Sequence, residues 1–434
     1  MLKKFYQLLQ LTPGPFLLAL ILTSIVFVFC LFHFDFSFVQ LLNFWGNSLS
    51  SLHQFSMQML LILVLGYVLA QSKPFQAMLQ LCLRWVQTPG QAIVTATLLS
   101  CLFSYLNWGL GLVASALLAQ ILKRKFPKIP YANLVASCYS GFLVWHGGLS
   151  GSIPLQLASR SSELKAISGE IFFPTSQTLF SHYNLFIVLL HFLFLPGVNY
   201  LFYKRLSDKT ENTVQVFEEQ NTEVDLNPTF WSKVERSKWL GMGLGALGIF
   251  FAVSALHKLG SLDLNLLIIT LLFLALFLHA GLREFQKCFE QSIYVGAGIV
   301  MLYPFYAGLM GLIVQSGFGQ TVTNFFIQYA DAHNLPLLTY LSAGFLNLFV
   351  PSGGGQWAIQ APIFIPLALK LNVDVSRVAM MVAWGDAWTN MIQPFFALPL
   401  LSIAKIELGE IMPQCFWLFI VSGLLTITSI YIFF

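Results

Sequence analysis

Asp386 lies in Ala383-Trp-Gly-Asp-Ala-Trp388, inside a long apolar stretch, and it is the residue in this sequence with the most chemistry to offer. A charge at such a depth costs about 2.5–3.5 kcal/mol on membrane-insertion scales, so a carboxylate there calls for a partner or a purpose. It could ligate a cation, carry a proton, or make a structural hydrogen bond to a neighbouring helix. His146 lies in a comparable polar break earlier in the chain and could be a proton carrier, a donor or a structural residue. Thr389, Asn390 and Gln393 follow Asp386 closely and offer the oxygens that a coupling ion, sodium for example, would need.

Other breaks supply groups suited to an anion. Asn107, Trp108 and Gly109 form one, Ser150 and Ser152 flank His146, and Asn347 precedes the run Ser352, Gly353, Gly354, Gly355 and Gln356. Glycines let a ligand approach backbone N–H groups closely, and hydroxyls and amides donate without carrying charge. Gly and Ser also permit close helix packing in membranes, a competing reading for 147–152. The triple glycine wastes helix propensity, at about 1 kcal/mol per residue, which favours a functional role. Trp108, Trp145, Trp357, Trp384 and Trp388 flank the breaks and either wall a pocket or pack.

These residues need elements to hold them. Of 434 residues, 57% are hydrophobic and 9% charged, against roughly 25% charged in a soluble domain. The chain reads as an all-α polytopic membrane protein. A net charge of +4 is too small to argue for nucleic acid, and the six cysteines stand singly, without disulfide or zinc spacing. No cofactor motif is present. A bilayer core needs about 20 apolar helical residues. Seven uninterrupted spans are expected near 16–34, 54–71, 183–203, 239–257, 262–280, 293–316 and 411–434. Two more, 129–160 and 375–404, are discontinuous, giving about nine spans. The stretches 89–122 and 336–370 are broken at Asn107 and at 347–356 into halves of about 15 residues, too short to cross, and read as re-entrant hairpins.

The two halves of the chain rhyme. Asn107 and Asn347 lie 240 positions apart, as do Pro154 and Pro394, and Trp145 and Trp384 lie 239 apart. The expected organisation is a first membrane repeat at 1–203, a hydrophilic cytoplasmic linker at 204–238, a connecting span at 239–261 and a second repeat at 262–434. With the N-terminus cytoplasmic, nine spans put 17 of the 22 Lys and Arg residues on the cytoplasmic side, a strong positive-inside bias. The second repeat then enters the membrane inverted, the plan of many secondary transporters.

The chain resembles the bacterial short-chain fatty acid transporter family, within a broader ion-transporter superfamily. The resemblance runs nearly end to end. It is carried by Asn107-Trp-Gly-Leu-Gly-Leu112, Ser140-Gly-Phe-Leu-Val-Trp145, Gly148-Leu-Ser-Gly-Ser-Ile-Pro-Leu155, Val350-Pro-Ser-Gly-Gly-Gly355 and Gln393-Pro-Phe-Phe-Ala-Leu-Pro399. It implies cation-coupled uptake of short monocarboxylates such as butyrate or acetoacetate across the bacterial inner membrane. It also implies an elevator-like body built on two hairpins, and scaffold helices that form a homodimer. The family pattern usually has a small residue at 146, His at 356 and Glu at 386, where this chain has His146, Gln356 and Asp386. A C4-dicarboxylate carrier is the alternative, but no pair of intramembrane basic groups matches two carboxylates. A membrane transferase would need an Asp-rich or His-Asp constellation at a membrane face, and a channel would not need paired inverted hairpins.

The charge bias makes the topology testable. A reporter active only in the cytoplasm should be active when fused after Asp225 and silent when fused after Phe434; activity at both sites would rule out the inverted plan.

Overall fold

The computed structural model describes residues 13–158, 173–206, 230–235, 237–259, 264–279, 281–393 and 395–433. Most of the linker, and Pro394, lie outside them. Among the described residues all regular structure is helical. Six helices are long and apolar enough to cross a membrane, and a seventh candidate is a pair bent by 67°.

The first half begins with α1 (Pro15–His33), the short amphipathic α2 (Phe38–Ser48), α3 (His53–Gln71) and a second short amphipathic helix, α4 (Lys73–Leu83). Ser37 with Gln40 forms a capping box at the start of α2, satisfying backbone N–H groups that would otherwise be orphaned. Next come α5 (Pro89–Leu106) and α6 (Trp108–Lys125), separated by Asn107 alone. They fold back on each other: Ser115 donates to Ser100 at 2.8 Å across the break. A methyl on Gly111 would run into Ser104. Each arm has 18 residues rather than the expected 15 or so, and α5 is long enough to cross alone. The fold-back, not a shortage of residues, makes this element a hairpin. The first discontinuous span comprises α7 (Tyr131–Ser140), a 3₁₀ segment (Gly141–Gly147) and α8 (Ser152–Leu157), and α9 (His182–Leu206) closes the half.

A six-residue helix, α10 (Phe230–Glu235), precedes α11 (Lys238–Leu259), which pairs with α12 (Leu264–Leu278). At 15 residues, α12 is shorter than the span expected at 262–280. Helix α13 (Leu282–Gln315) is longer than expected, with 34 residues. It fuses the counterparts of α2 and α3 because no helix breaker separates them. Then follow α14 (Phe318–Ile327), the hairpin of α15 (Leu335–Asn347) and α16 (Gly353–Lys370), and α17 (Val375–Thr389). Gln360 donates to Ser342 across the second hairpin at 2.8 Å. A 3₁₀ turn (Phe395–Ala397), α18 (Leu398–Ala404) and α19 (Leu408–Phe433) complete the chain. The result is an all-α membrane architecture of two inverted repeats, each with one hairpin and one broken helix.

Glycine sets the closest approaches. A side chain on Gly66 of α3 would strike the backbone of Gly109 and Leu110, and one on Gly109 would strike the Ile62 carbonyl, so α3 and α6 cross nearly in backbone contact. Gly141 lies against the backbone of Ser100 and Cys101, and Gly148 against that of Tyr105. Overpacking a tight contact typically costs about 1–3 kcal/mol. Gly141→Ala and Gly148→Ala should therefore lower the melting temperature of the purified protein. Gly243→Ala on α11, with open space around it, should leave it unchanged or raise it. Equal melting of Gly141→Ala and wild type would contradict the packing.

Candidate functional site

The first broken helix builds half of the site through its winding. A 3₁₀ helix has three residues per turn, so side chains three apart eclipse. Phe142 and Trp145 accordingly stack at 5.5 Å between ring centroids, and Tyr139 at the end of α7 extends the column, stacked on Phe142 at 6.0 Å. The His146 imidazole stacks on Trp145 at 4.0 Å and ends the column. Trp108 from the first hairpin and Phe396 from the second break close against it.

His146 Nδ1 lies 3.1 Å from Asp386 Oδ1, and both side chains are fully buried. The two residues are 240 positions apart, the same interval that separates the paired asparagines. The 3₁₀ break of the first repeat therefore meets the last turn of α17 of the second at this bond. Asp386 is the one buried acidic side chain among the described residues. Nε2 of His146 lies 3.0 Å from Ser152 Oγ and receives the Ile153 backbone N–H at 3.3 Å. A backbone N–H can only donate. Nε2 is thus the acceptor, and Nδ1 carries the proton it donates to Asp386. The ring leaves no room on its other side, because a methyl on Gly353 would collide with both His146 and Ser152.

The hairpin tips are held by side chains that replace lost helical hydrogen bonds. Asn107 Oδ1 accepts from Leu110 N–H at 2.8 Å, and Ser150 Oγ accepts from Trp108 N–H at 2.8 Å. Ser352 Oγ accepts from Gly355 N–H at 3.3 Å. Asn347 Nδ2 faces three acceptors, the Asp386 carbonyl at 2.9 Å, Thr389 Oγ1 at 3.0 Å and Asn390 Oδ1 at 2.9 Å, which ties the second tip to the second break. Gln356 donates to the Ala343 carbonyl at 2.6 Å.

The structure thus brings together His146, Ser152, Gly353 and Asp386 in one cluster, and Asn347 at the end of α15 with Thr389 and Asn390 at the end of α17 in another. Ser150 braces the first tip. Gly109 is explained by its crossing with α3, and Gly355 by Met310, while Gly354 is half-buried. Gln393 turns toward Tyr306 of α13 at 3.2 Å and holds Phe395 N–H at 2.9 Å. His191 and His279 donate to the carbonyls of Ile187 and Val68, bonds that hold helices. Three contributors were not singled out from sequence. The 139, 142, 145 spacing was a readable signal for an aromatic column on one helix face. Asn184 on α9, which accepts from Trp384 Nε1 at 2.9 Å and donates to the Gly147 carbonyl at 2.9 Å, gave none. Neither did the Ile153 amide.

Thirteen buried side-chain polar atoms lack a hydrogen-bond partner among the described residues, and eight belong to residues of these tips and breaks. Five are N–H donors, on Asn107, Asn390, Trp108, Trp145 and Trp357; three are oxygens, on Asn347, Gln356 and Asp386. Buried polar groups are normally satisfied, so their concentration here marks a polar site able to present donors to an anion and oxygens to a cation.

Inverted repeats, paired hairpins and broken helices meeting on a buried polar cluster define a membrane transporter. The comparisons agree. The chain matches the family described as short chain fatty acid transporter over residues 4–433. It is 33% identical over 427 residues to an Escherichia coli K12 protein that carries short-chain fatty acid transporter as a provisional name, covering 97% of this chain and 96% of that one. A Haemophilus influenzae protein with the same provisional name is 34% identical over 428 residues, covering 96% of each. Among solved structures, the Alcanivorax borkumensis YdaH transporter, described as having an unusual topology, shares the fold at a TM-score of 0.50 and 17% identity, with 97% of both chains covered. The chain belongs to the short-chain fatty acid transporter family.

Proposed function

We propose that the protein takes up short monocarboxylates, butyrate and acetoacetate-like acids, together with a cation, by alternating access of the site where the two breaks meet. The observation that carries this reading is the set of unpartnered donors and oxygens on residues of the tips and breaks, together with the one buried acidic side chain among the described residues. The anion's head is met by neutral N–H donors, and its short apolar tail suits the walls of Trp108, Trp145, Phe142 and Phe396. Lys123 is the one buried Lys or Arg among the described residues. Its ammonium is committed to the Pro127 and Ile129 carbonyls, both at 2.7 Å. No permanent ion pair thus answers the substrate's charge. Importing an anion against an inside-negative potential is opposed by roughly 2.3 kcal/mol per 100 mV, and one co-transported cation makes the step electroneutral. Asp386, with the oxygens of Asn347, Thr389 and Asn390 on the same helical junction, is the place for that cation. In this reading the chain spans the inner membrane with a cytoplasmic N-terminus.

Uptake of labelled butyrate and succinate into proteoliposomes, with protein-free vesicles as the blank, tests this directly. Butyrate should accumulate only under an imposed cation gradient, and succinate should not compete. Preference for succinate, or butyrate uptake indifferent to every imposed gradient, would overturn the proposal.

A further inference from the structure

Building on this transport reading, we infer that the coupling ion is a proton carried on Oδ2 of Asp386, and that His146 is a neutral positioning residue rather than the carrier. The hydrogen-bond directions supply the argument. The Ile153 N–H points at Nε2 of His146 at 3.3 Å, so a second proton on the ring would set two N–H donors against each other. The remaining ring proton, on Nδ1, is committed to Asp386 Oδ1 at 3.1 Å. That leaves Oδ2, which is buried and has no partner among the described residues. A proton arriving there converts carboxylate to carboxylic acid while Oδ1 still accepts from His146. Loading and unloading therefore need no rearrangement of the bond that joins the two breaks, and no oxidant, reductant or second reactant.

Among the described residues the surroundings bring no second buried acid. The 3₁₀ segment presents His146, whose two nitrogens are assigned. Helix α9 presents His191, which stacks on Trp384 and donates to the Ile187 carbonyl at 2.8 Å. Helix α13 presents Tyr303, whose ring meets Phe395, and α15 presents Tyr340, stacked on Trp388. Helices α8, α16 and α19 bring no buried acid, Lys or Arg among the described residues. Asp386 also sits where the two inverted repeats meet, between the broken helix of one and the hairpin of the other.

Two readouts on reconstituted protein separate this inference from the transport reading. One is counterflow of labelled acetoacetate, which needs no net proton movement. The other is accumulation driven by an imposed pH gradient, followed with a trapped pH dye against protein-free vesicles. Wild type should show both. Asp386→Asn, checked for folding by its elution as a single species in detergent, should lose accumulation, the internal-to-external ratio falling to one. Asp386→Glu should retain accumulation. His146→Ala removes the donor that orients Oδ1, so the accumulation ratio should fall, and His146→Gln, which can still donate, should rescue it; a merely structural His146 would not be rescued by a donor alone. Gradient-driven accumulation by Asp386→Asn, loss of it in Asp386→Glu, or accumulation driven by sodium and not by pH would overturn the inference. So would coupling lost in His146→Gln but kept in Asp386→Asn. Absence of wild-type counterflow would refute the transport reading itself.

Discussion

A helix interrupted at membrane depth exposes backbone N–H and C=O groups where no water meets them, and each one left unsatisfied costs several kcal/mol. This chain interrupts itself four times, and the rest of the structure follows from how the loose ends are tied. Asn107, Ser150 and Ser352 accept the freed N–H groups, and Asn347 bridges its own tip to the Asp386 carbonyl. The Tyr105 carbonyl, at the end of α5, receives Leu149 N–H at 2.7 Å. Each hairpin is thereby bound to its own repeat's broken helix. Asn107 and Asn347 each brace the backbone with one atom of the amide and leave the other without a partner among the described residues.

The repeats are then joined by a bond between residues at matching positions. His146, in the first break, and Asp386, 240 residues on in the last turn of α17, lie at matching positions of the two halves, and the glycine at 353 lets the second hairpin seat its helix against His146 and Ser152. Duplication explains why two polar breaks coincide in space. It does not make them identical, because one copy carries the donor and the other the acceptor. That asymmetry turns a point of repeat symmetry into a site with a single acid.

Much of this was legible from the residues. Long apolar runs locate α1, α3, α9, α11 and α19 because lipid imposes one length and one composition on a spanning helix. The breaks were legible because Asn, Ser and Gly in such runs are costly enough to demand a reason. Asp386 and His146 were each singled out, but their contact was not, since two residues 240 apart become neighbours only through the packing of the repeats. Helix α13 ran past its expected start because amphipathic and spanning segments continue without a breaker, and hydropathy reads only the apolar part. Asn184 escaped notice as one amide in an ordinary span, and the Ile153 N–H, which fixes the His146 tautomer, is backbone that sequence does not distinguish.

The central claim is that the two repeats are joined by the His146–Asp386 hydrogen bond. A double-mutant cycle on melting in detergent, with His146→Ala, Asp386→Ala and the double variant, measures that bond most directly. Residues in contact typically show interaction energies of about 0.5–3 kcal/mol, whereas independent sites add within about 0.5 kcal/mol. The double variant should melt well above the temperature that the summed single losses give; simple additivity would show that the two side chains do not meet.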